Sequence, residues 1–173
     1  DGRLALVILG IDPGYAITGY GVLRYNNNRF KVLDYGVIRT SAETPFPERL
    51  LAIQQALREL LDMYMPDCVA IEELFFSRNT TTAIGTAQAR GVAIVTAASA
   101  NLPVYEYTPM QVKVAVTGYG RAEKTQVQEM VRILLNLTDK PNPDDVADAL
   151  AVAICHAHSG NRDSALAVGG YQK

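Results

Sequence analysis

The feature that most constrains the fold is an eight-residue apolar run near the start of the chain that ends in an acidic turn. Residues 4–11 read LALVILGI, and Asp12-Pro13-Gly14 follows at once. An unbroken apolar run closed by a turn signal is typical of a strand buried on both faces of a sheet. The run therefore predicts a central strand with a carboxylate at its carboxyl end.

The next two segments predict that this strand belongs to an antiparallel meander. Residues 18–25 and 30–39 have the composition of strands, and Asn26-Asn27-Asn28 lies between them. Asparagine tolerates a positive φ, which is the conformation that tight hairpin turns require. Three consecutive strands joined by short turns are expected.

Beyond residue 40 the pattern changes to helices alternating with short strands. Apolar spacing predicts a helix over residues 50–64, short strands at 68–71 and 104–107, and an alanine-rich helix over 80–100. Three further helices are expected from Pro109, around residues 127–134, and from Asn142 as N-cap through Pro143 to His158. The order predicts an α/β fold with a mixed five-stranded sheet flanked by helices. Residues 1–158 are expected to form one domain, and residues 159–173 a disordered tail.

Length, charge and cysteine content narrow the class of protein. The chain has 173 residues and a net charge of −2, and 49% of its residues are hydrophobic, so a disordered chain is excluded. Two distant cysteines, Cys68 and Cys155, provide neither a disulfide framework nor zinc-ligand spacing. A reducing, cytoplasmic location is therefore expected. No stretch is long and apolar enough to be a membrane span or a signal segment.

Four acidic residues occupy unusual positions. Asp12 and Glu72 each end an apolar strand, where side chains emerge from the sheet into a crevice. Asp145 and Asp148 are three residues apart and so lie on one face of the last helix. Each has a simpler interpretation: a polar stop to a strand, or an acid favoured in a first helical turn, a role that Asp144 fits at least as well.

The surroundings of Asp148 favour a metal site over these simpler roles. Residues 146–154 are apolar or small apart from Asp148, and buried carboxylates are rarely left unpaired. Four clustered carboxylates would force some to protonate unless cations neutralised them. An all-oxygen ligand set suits Mg²⁺, with Mn²⁺ as a substitute. His156 and His158 come two to three turns later and are interpreted as structural.

Six motifs in order resemble the RuvC family of Holliday junction resolvases. They cover residues 7–158 and comprise Ile11-Asp12-Pro13-Gly14 with Thr18-Gly19-Tyr20-Gly21, Ile71-Glu72-Glu73-Leu74-Phe75-Phe76, Ala89-Arg90-Gly91, Pro109-Met110-Gln111-Val112-Lys113, Ala122-Glu123-Lys124, and Asp145-Val146-Ala147-Asp148-Ala149-Leu150-Ala151.

The resemblance implies a ribonuclease H-like fold, a homodimer, and Mg²⁺-dependent nicking of two strands of a four-way DNA junction. It also implies that the four acidic metal ligands are Asp12, Glu72, Asp145 and Asp148. Some relatives have histidine where Asp148 stands, so an all-carboxylate site is implied here. Glu73 departs from relatives with a neutral or amide residue at that position, and its charge either alters metal affinity or is solvated.

The resemblance extends to residues that would contact DNA and to partners. It places the two family lysines at Lys113 and Lys124 and the junction-facing aromatic at Phe75, although the sequence alone hardly separates Phe75 from Phe76. It also suggests docking of the RuvA–RuvB branch-migration complex. Arg78 and Arg121 could grip neighbouring phosphates, whereas lone cations are usually only solvated. Small residues along 80–100 could form a two-fold contact, but packing on the chain's own sheet explains them more simply.

Three functions remain open from the sequence. The first is a structure-specific endonuclease in which two Mg²⁺ ions promote in-line attack by water, leaving a 5′-phosphate and a 3′-hydroxyl. Asp12 would bridge both ions, Glu72 would hold one, and Asp145 and Asp148 the other. The second is a phosphotransferase of the sugar kinase and actin type, whose second lobe is missing here. The third is a junction-binding module without catalysis.

Overall fold

The computed structural model describes residues 5–74 and 80–159, and within these ranges the chain forms five strands and five helices. The strands are β1 (Leu6–Asp12), β2 (Ile17–Asn26), β3 (Arg29–Arg39), β4 (Cys68–Glu72) and β5 (Val104–Tyr107). The helices are α1 (Phe46–Tyr64), α2 (Thr80–Ser99), α3 (Pro109–Thr117), α4 (Lys124–Leu134) and α5 (Asp144–Ser159).

The strands form one mixed sheet in the order β3-β2-β1-β4-β5. β1, β2 and β3 are antiparallel, and β4 runs parallel to both β1 and β5. The predicted meander and five-stranded mixed sheet are therefore confirmed. Because β1 and β4 are parallel neighbours, Asp12 and Glu72 leave the sheet at the same edge.

Helices cover both faces of the sheet and create two separate cores. On one face α1 and α2 pack through residues such as Ile53, Leu57 and Ala93 against Leu9 and Val69. On the other face α3, α4 and α5 enclose the larger core. α5 is its centre, since every residue from Ala149 to Ala157 is buried.

Glycines in β1 and β2 allow α5 to lie directly on the sheet. A Cβ added at Gly10 would stand 2.1 Å from the carbonyl oxygen of Ala149, and one at Gly19 would stand 2.1 Å from that of Asp145. Any larger residue at these positions would push the helix away from the sheet. The absence of these side chains therefore sets the position of the first turns of α5, which carry two of the predicted ligands.

Two boundaries of α5 differ from the prediction. The helix begins at Asp144, and the carbonyl of Pro143 accepts a hydrogen bond from the amide of Val146 at 2.9 Å. Since a carbonyl that accepts the first bond belongs to the cap position, the prediction of Asn142 as cap and Pro143 as first helical residue was wrong by one residue.

At the other end, Ser159 is still helical, with its hydroxyl donating to the carbonyl of Cys155 at 2.7 Å, so it does not begin a tail. The rest of the predicted tail, residues 160–173, lies outside the described residues. In the ranges that the structure describes, no helix combines the length and hydropathy needed to cross a bilayer.

Candidate metal centre

The connection after β1 is held by a side chain at the start of β2. The hydroxyl of Thr18, which is buried, donates to the carbonyl of Gly14 at 2.6 Å and accepts from the amide of Gly14 at 3.4 Å. This pair of bonds closes the turn that begins at Asp12. The carboxylate at the end of β1 is therefore carried by a fixed loop rather than by a free strand end.

A second set of contacts ties this loop to α1. The guanidinium of Arg49, a buried residue of α1, donates through Nε to the hydroxyl of Thr40 at 2.8 Å and lies 5.1 Å from the centre of the Tyr15 ring. The hydroxyl of Thr40 in turn donates to the carbonyl of Tyr15. Sequence reasoning missed these residues, because no local pattern links an arginine in α1 to the loop after β1.

The fold brings the four predicted ligands to one edge of the sheet. Asp12 and Glu72 are the last residues of β1 and β4, and Asp145 and Asp148 lie in the first two turns of α5. All four side chains are half-buried. Gly19 of β2 is paired with Asp12 of β1, and the backbone of Asp145 packs directly against Gly19. The register of β2 therefore determines how Asp12 and Asp145 lie relative to each other.

Electrostatics show how closely these carboxylates interact. Burial, followed by the negative charges of Asp148, Asp145 and Glu72 and a hydrogen bond to Asp145, together raise the pKa of Asp12 to about 8. Burial, followed by the charge of Asp148, also raises the pKa of Glu72. The charges of the other three acids thus act on Asp12.

Two lysines partly offset this negative charge. Lys124 Nζ lies 3.1 Å from Asp144 Oδ2 and 3.9 Å from Asp148 Oδ2, and both Lys113 and Lys124 lower the pKa of Glu72. Burial lowers the pKa of Lys124, but its bond to Asp144 and the charges of Asp148 and Asp12 outweigh burial, so the pKa ends above its ordinary value. The sequence predicted these lysines near the acids through the family resemblance and not through their local pattern.

The residue types at this edge of the sheet are those that bind a hard divalent cation. Four carboxylates face two lysines, and one of the lysines is shared with Asp144, so negative charge remains in excess at this edge. Oxygen ligands without nitrogen or sulfur suit Mg²⁺. Across residues 5–74 and 80–159, no three or more His, Cys, Asp or Glu side chains stand close enough together to hold a metal ion. The assignment of the four acids as ligands therefore stays a prediction.

The other predicted residues have varied positions. Arg121 is exposed between α3 and α4 and makes no hydrogen bond or ion pair with the described residues. Asp144 binds Lys124 and accepts from Gln128 Nε2 at 2.9 Å, while Glu73 is exposed. Phe75 and Arg78, together with Phe76, lie outside the described residues, so their predicted contacts with DNA stay predictions.

A buried ion pair beside the site was not predicted. Arg90 of α2 pairs with Glu106 of β5, and Arg90 Nε has no hydrogen-bond partner among the described residues. In the sequence, the indication of this ion pair was a lone arginine within the alanine-rich helix. Nothing in its local spacing pointed to β5.

His156 makes the contacts of a structural residue. Its Nδ1 lies 2.6 Å from the hydroxyl of Tyr107, and its ring stacks on Tyr105 with centroids 4.4 Å apart. Burial lowers the pKa of His156 to about 4, so the ring is neutral near pH 7. His158 bonds the carbonyl of Ala115 through Nδ1 at 3.0 Å.

Comparison with known proteins identifies the family of this chain. The family model described as "Crossover junction endodeoxyribonuclease RuvC" matches residues 8–156. The chain belongs to the RuvC family. A RuvC of Alkaliphilus metalliredigens is 62% identical over 92% of this chain and 97% of its own length, and one of Alkaliphilus oremlandii is 60% identical over 90% and 95%.

Solved structures agree with this assignment. A RuvC of T. thermophilus in complex with a Holliday junction substrate is 41% identical, with a TM-score of 0.85 over 89% of this chain and 94% of that one. The yeast mitochondrial Holliday junction resolvase shares the fold, with a TM-score of 0.64 at 14% identity over 87% and 77% of the two chains. The predicted family and ribonuclease H-like resolvase fold are confirmed.

Membership of the RuvC family decides among the three functions left open by the sequence. The chain is a crossover junction endodeoxyribonuclease, a hydrolase of DNA recombination and repair. The phosphotransferase and the binding module without catalysis are not supported.

Proposed function

We propose that this RuvC-family chain resolves four-way junctions by Mg²⁺-dependent hydrolysis at Asp12, Glu72, Asp145 and Asp148. The observation that carries the proposal is the place of Asp12 at the end of β1, where burial and the charges of three other carboxylates raise its pKa to about 8. Such a site is most stable at neutral pH when dications neutralise it. The products would be two symmetric nicks with 5′-phosphate and 3′-hydroxyl ends.

The carboxylates and the lysines of the site have separate parts in this proposal. Asp12, Glu72, Asp145 and Asp148 would together hold the Mg²⁺ ions, with Asp12 as the ligand common to them. When bound, such a pair of ions activates a water and stabilises the leaving oxygen of an in-line displacement. Lys113 and Lys124 would hold the scissile phosphate, which is supported by the 3.9 Å between Lys124 Nζ and Asp148 Oδ2 and by the influence of both lysines on the pKa of Glu72.

Residues farther from the carboxylates would position the DNA. Phe75 would stack on an exposed base of the junction, which contributes about 1–3 kcal/mol for an aromatic side chain. Arg78 and Arg121 would contact neighbouring phosphates without reading sequence. The exposure of Arg121 and its lack of a partner among residues 5–74 and 80–159 support this role.

The cleavage experiment that tests the proposal compares branched and linear DNA. Incubation with Mg²⁺ is expected to give paired nicks near the crossover of a synthetic four-way junction, with no cut in a linear duplex of the same sequence. Strands are resolved on a denaturing gel, and end-labelled products are tested for ligation without prior phosphorylation. Equal cutting of both substrates, undiminished cutting in EDTA, or products that cannot be ligated would contradict the proposal.

A homodimer would supply the two cuts, and the outer face of α2 supports this. Ile84 and Val95 are each 61% exposed and lie three turns apart. Gln88 and Gly91 lie between them on the same face, and a Cβ at Gly91 would meet nothing within 4 Å.

Other small residues of α2, unlike Gly91, face inward. Ala83 and Ala97 are buried, and a Cβ at Gly85 would stand 2.5 Å from the Tyr15 ring. Packing of α2 on the chain's own sheet is thus the explanation for these residues. A two-fold contact would use the opposite, exposed face.

Val95→Arg is expected to convert the dimer into a monomer, because a guanidinium would be buried unpaired in the contact. Size-exclusion chromatography with light scattering measures the mass, and the monomer should leave single nicks in place of paired ones. Met63→Arg is the matched control, since Met63 is 69% exposed on α1 outside this face. A dimeric Val95→Arg protein would show that α2 is not the interface.

Three broader assignments complete the proposal. Residues 1–158 would act as one nuclease domain, consistent with one sheet and its two cores. The chain would work in the cytoplasm, where the free thiols of Cys68 and Cys155 stay reduced. Family membership also supports docking of the RuvA–RuvB complex on the same junction.

A further inference from the structure

A basic groove lies at the far end of the sheet from the carboxylates. It occupies about 490 Å³ at the β2–β3 hairpin and contains no acidic residue in its lining. The residues that line it are Arg24, Asn26, Asn27, Arg29, Phe30 and Lys31.

The sheet register places the polar residues of this groove on one face. Arg24 is paired with Lys31 and Asn26 with Arg29 across the two antiparallel strands, and paired residues share a face. On the same two strands Tyr25 and Phe30 pack together with ring centroids 4.8 Å apart, and both lie against His158 of α5. The hairpin is thus a fixed platform that carries three cations.

Within residues 5–74 and 80–159, these charges have no acidic partner. Like charges placed directly opposite in a sheet are unfavourable, yet Arg24 and Lys31 face each other. Neither they nor Arg29 form an ion pair with any residue of the described ranges. Asp67, which precedes the neighbouring strand β4, is engaged by the amide of Val7 at 2.8 Å.

Protection of the sheet edge explains only part of this pattern. Lysines and arginines on an edge strand discourage strand pairing with other molecules, and Arg29 and Lys31 lie on the edge strand β3. Arg24 lies on β2, which is paired on both sides, so it has no edge to protect. An anionic ligand accounts for all three cations at once.

We infer that this groove binds the sugar–phosphate backbone of a junction arm away from the crossover. The inference rests on the proposed function and adds a second DNA contact to it. Along β2, seven residues separate Gly19, the partner of Asp12, from Asn26, which corresponds to roughly 24 Å. For an arm that runs parallel to β2, at about 3.4 Å per base pair, the contact would fall about seven base pairs from the cut phosphate.

The chemistry of the groove favours DNA over an acidic protein. Its lining is cationic and amide, with a single half-buried aromatic ring, whereas protein interfaces depend on buried aromatic and aliphatic anchors. The Cα atoms that carry these side chains are about 5 Å apart across paired strands and about 7 Å apart for alternate residues along a strand, which is within reach of successive phosphates for long side chains. Backbone binding of this kind would add affinity without sequence preference.

The test combines a protein variant that lacks the three positive charges of the groove with a junction that lacks negative charge at selected phosphates. The triple variant Arg24→Gln, Arg29→Gln, Lys31→Gln is compared with wild type on a junction with 20-base-pair arms. A second junction carries neutral methylphosphonates six to nine base pairs from the crossover in all four arms. Wild type is expected to bind the neutralised junction about tenfold more weakly, and the variant to bind both junctions with that same weaker affinity. The slope of log affinity against log salt should fall by about 2–3 for the variant.

Controls separate this contact from general electrostatics and from catalysis. Methylphosphonates at positions 15–18, and the charge-retaining variant Arg24→Lys, Arg29→Lys, Lys31→Arg, should leave affinity unchanged. At a saturating concentration of junction, the rate of Mg²⁺-dependent cleavage by the triple variant should equal that of wild type. Failure of the groove inference can therefore be distinguished from failure of the proposed function. Unchanged affinity of the triple variant would overturn the inference and leave an acidic protein as the ligand. The inference would also be overturned if the triple variant bound the neutralised junction more weakly than the unmodified junction by the same factor as wild type does. The two changes would then act independently.

Discussion

Asp12→Asn is expected to lower the rate of junction cleavage by at least about 1000-fold while leaving junction binding intact. Asp12 is the acid whose pKa is raised by the charges of all three of the others, so its replacement would remove the ligand proposed to be shared by the two ions. Loss of a metal-bound transition state costs several kcal/mol, which corresponds to this factor. Single-turnover cleavage in Mg²⁺ and binding in EDTA measure the two properties separately.

The stability of the same variant gives an independent check. Because the pKa of Asp12 is raised from 3.8 to about 8 in the folded chain, ionised Asp12 is disfavoured there relative to the unfolded chain. In EDTA, the contribution of Asp12 to the free energy of unfolding of the wild type should therefore be largest below about pH 4 and should fall as the pH rises toward 8. The Asn variant should show a shallower fall.

Urea unfolding at pH 5 and pH 8 measures this difference. Asn has nearly the shape of Asp, so the fold is retained and the variant should be the more stable protein at pH 8 without metal. Parallel pH dependence of the two proteins would contradict the electrostatic description of Asp12. Normal cleavage by Asp12→Asn would refute its place among the ligands.

Gly19→Ala is expected to reduce cleavage about 100-fold although residue 19 has no side chain that could take part in chemistry. The new Cβ would stand 2.1 Å from the carbonyl oxygen and 2.9 Å from the Cβ of Asp145. The carbonyl belongs to the helix backbone and cannot rotate away, so α5 must move. A displacement of about 1 Å at a catalytic group can cost about 100-fold in rate, and overpacking costs about 1–3 kcal/mol of stability.

Gly21→Ala is the matched control on the same strand and against the same helix. Its Cβ would meet the side chain of Leu150, with Cδ2 at 2.4 Å and Cγ at 2.8 Å, and a leucine side chain can shift. This variant should lose stability but keep cleavage within a few-fold of wild type. Urea unfolding and cleavage at saturating Mg²⁺ are measured on both. Equal losses of activity in the two variants would show that general destabilisation, rather than the position of Asp145, is responsible.

Local pattern was enough to predict most of the architecture. The apolar run before Asp12, the asparagine turn and the helical spacing of Leu50 to Tyr64 depend on neighbours in sequence, and β1, the β2–β3 hairpin and α1 were found where these patterns placed them. The same reasoning placed Asp12 and Glu72 at strand ends. It missed the start of α5 by one residue, since proline and asparagine are both compatible with either cap position.

Contacts between distant segments required the folded chain. Nothing in the periodicity of α2 links Arg90 to Glu106, and nothing around Lys124 points to Asp148. Such pairs form because the parallel strands and the glycine-lined surface of β1 and β2 bring α5 and its neighbours to one edge of the sheet. Residue type can therefore be read along the chain, whereas distance and burial, which set the charge state of Asp12, arise only when remote elements pack together.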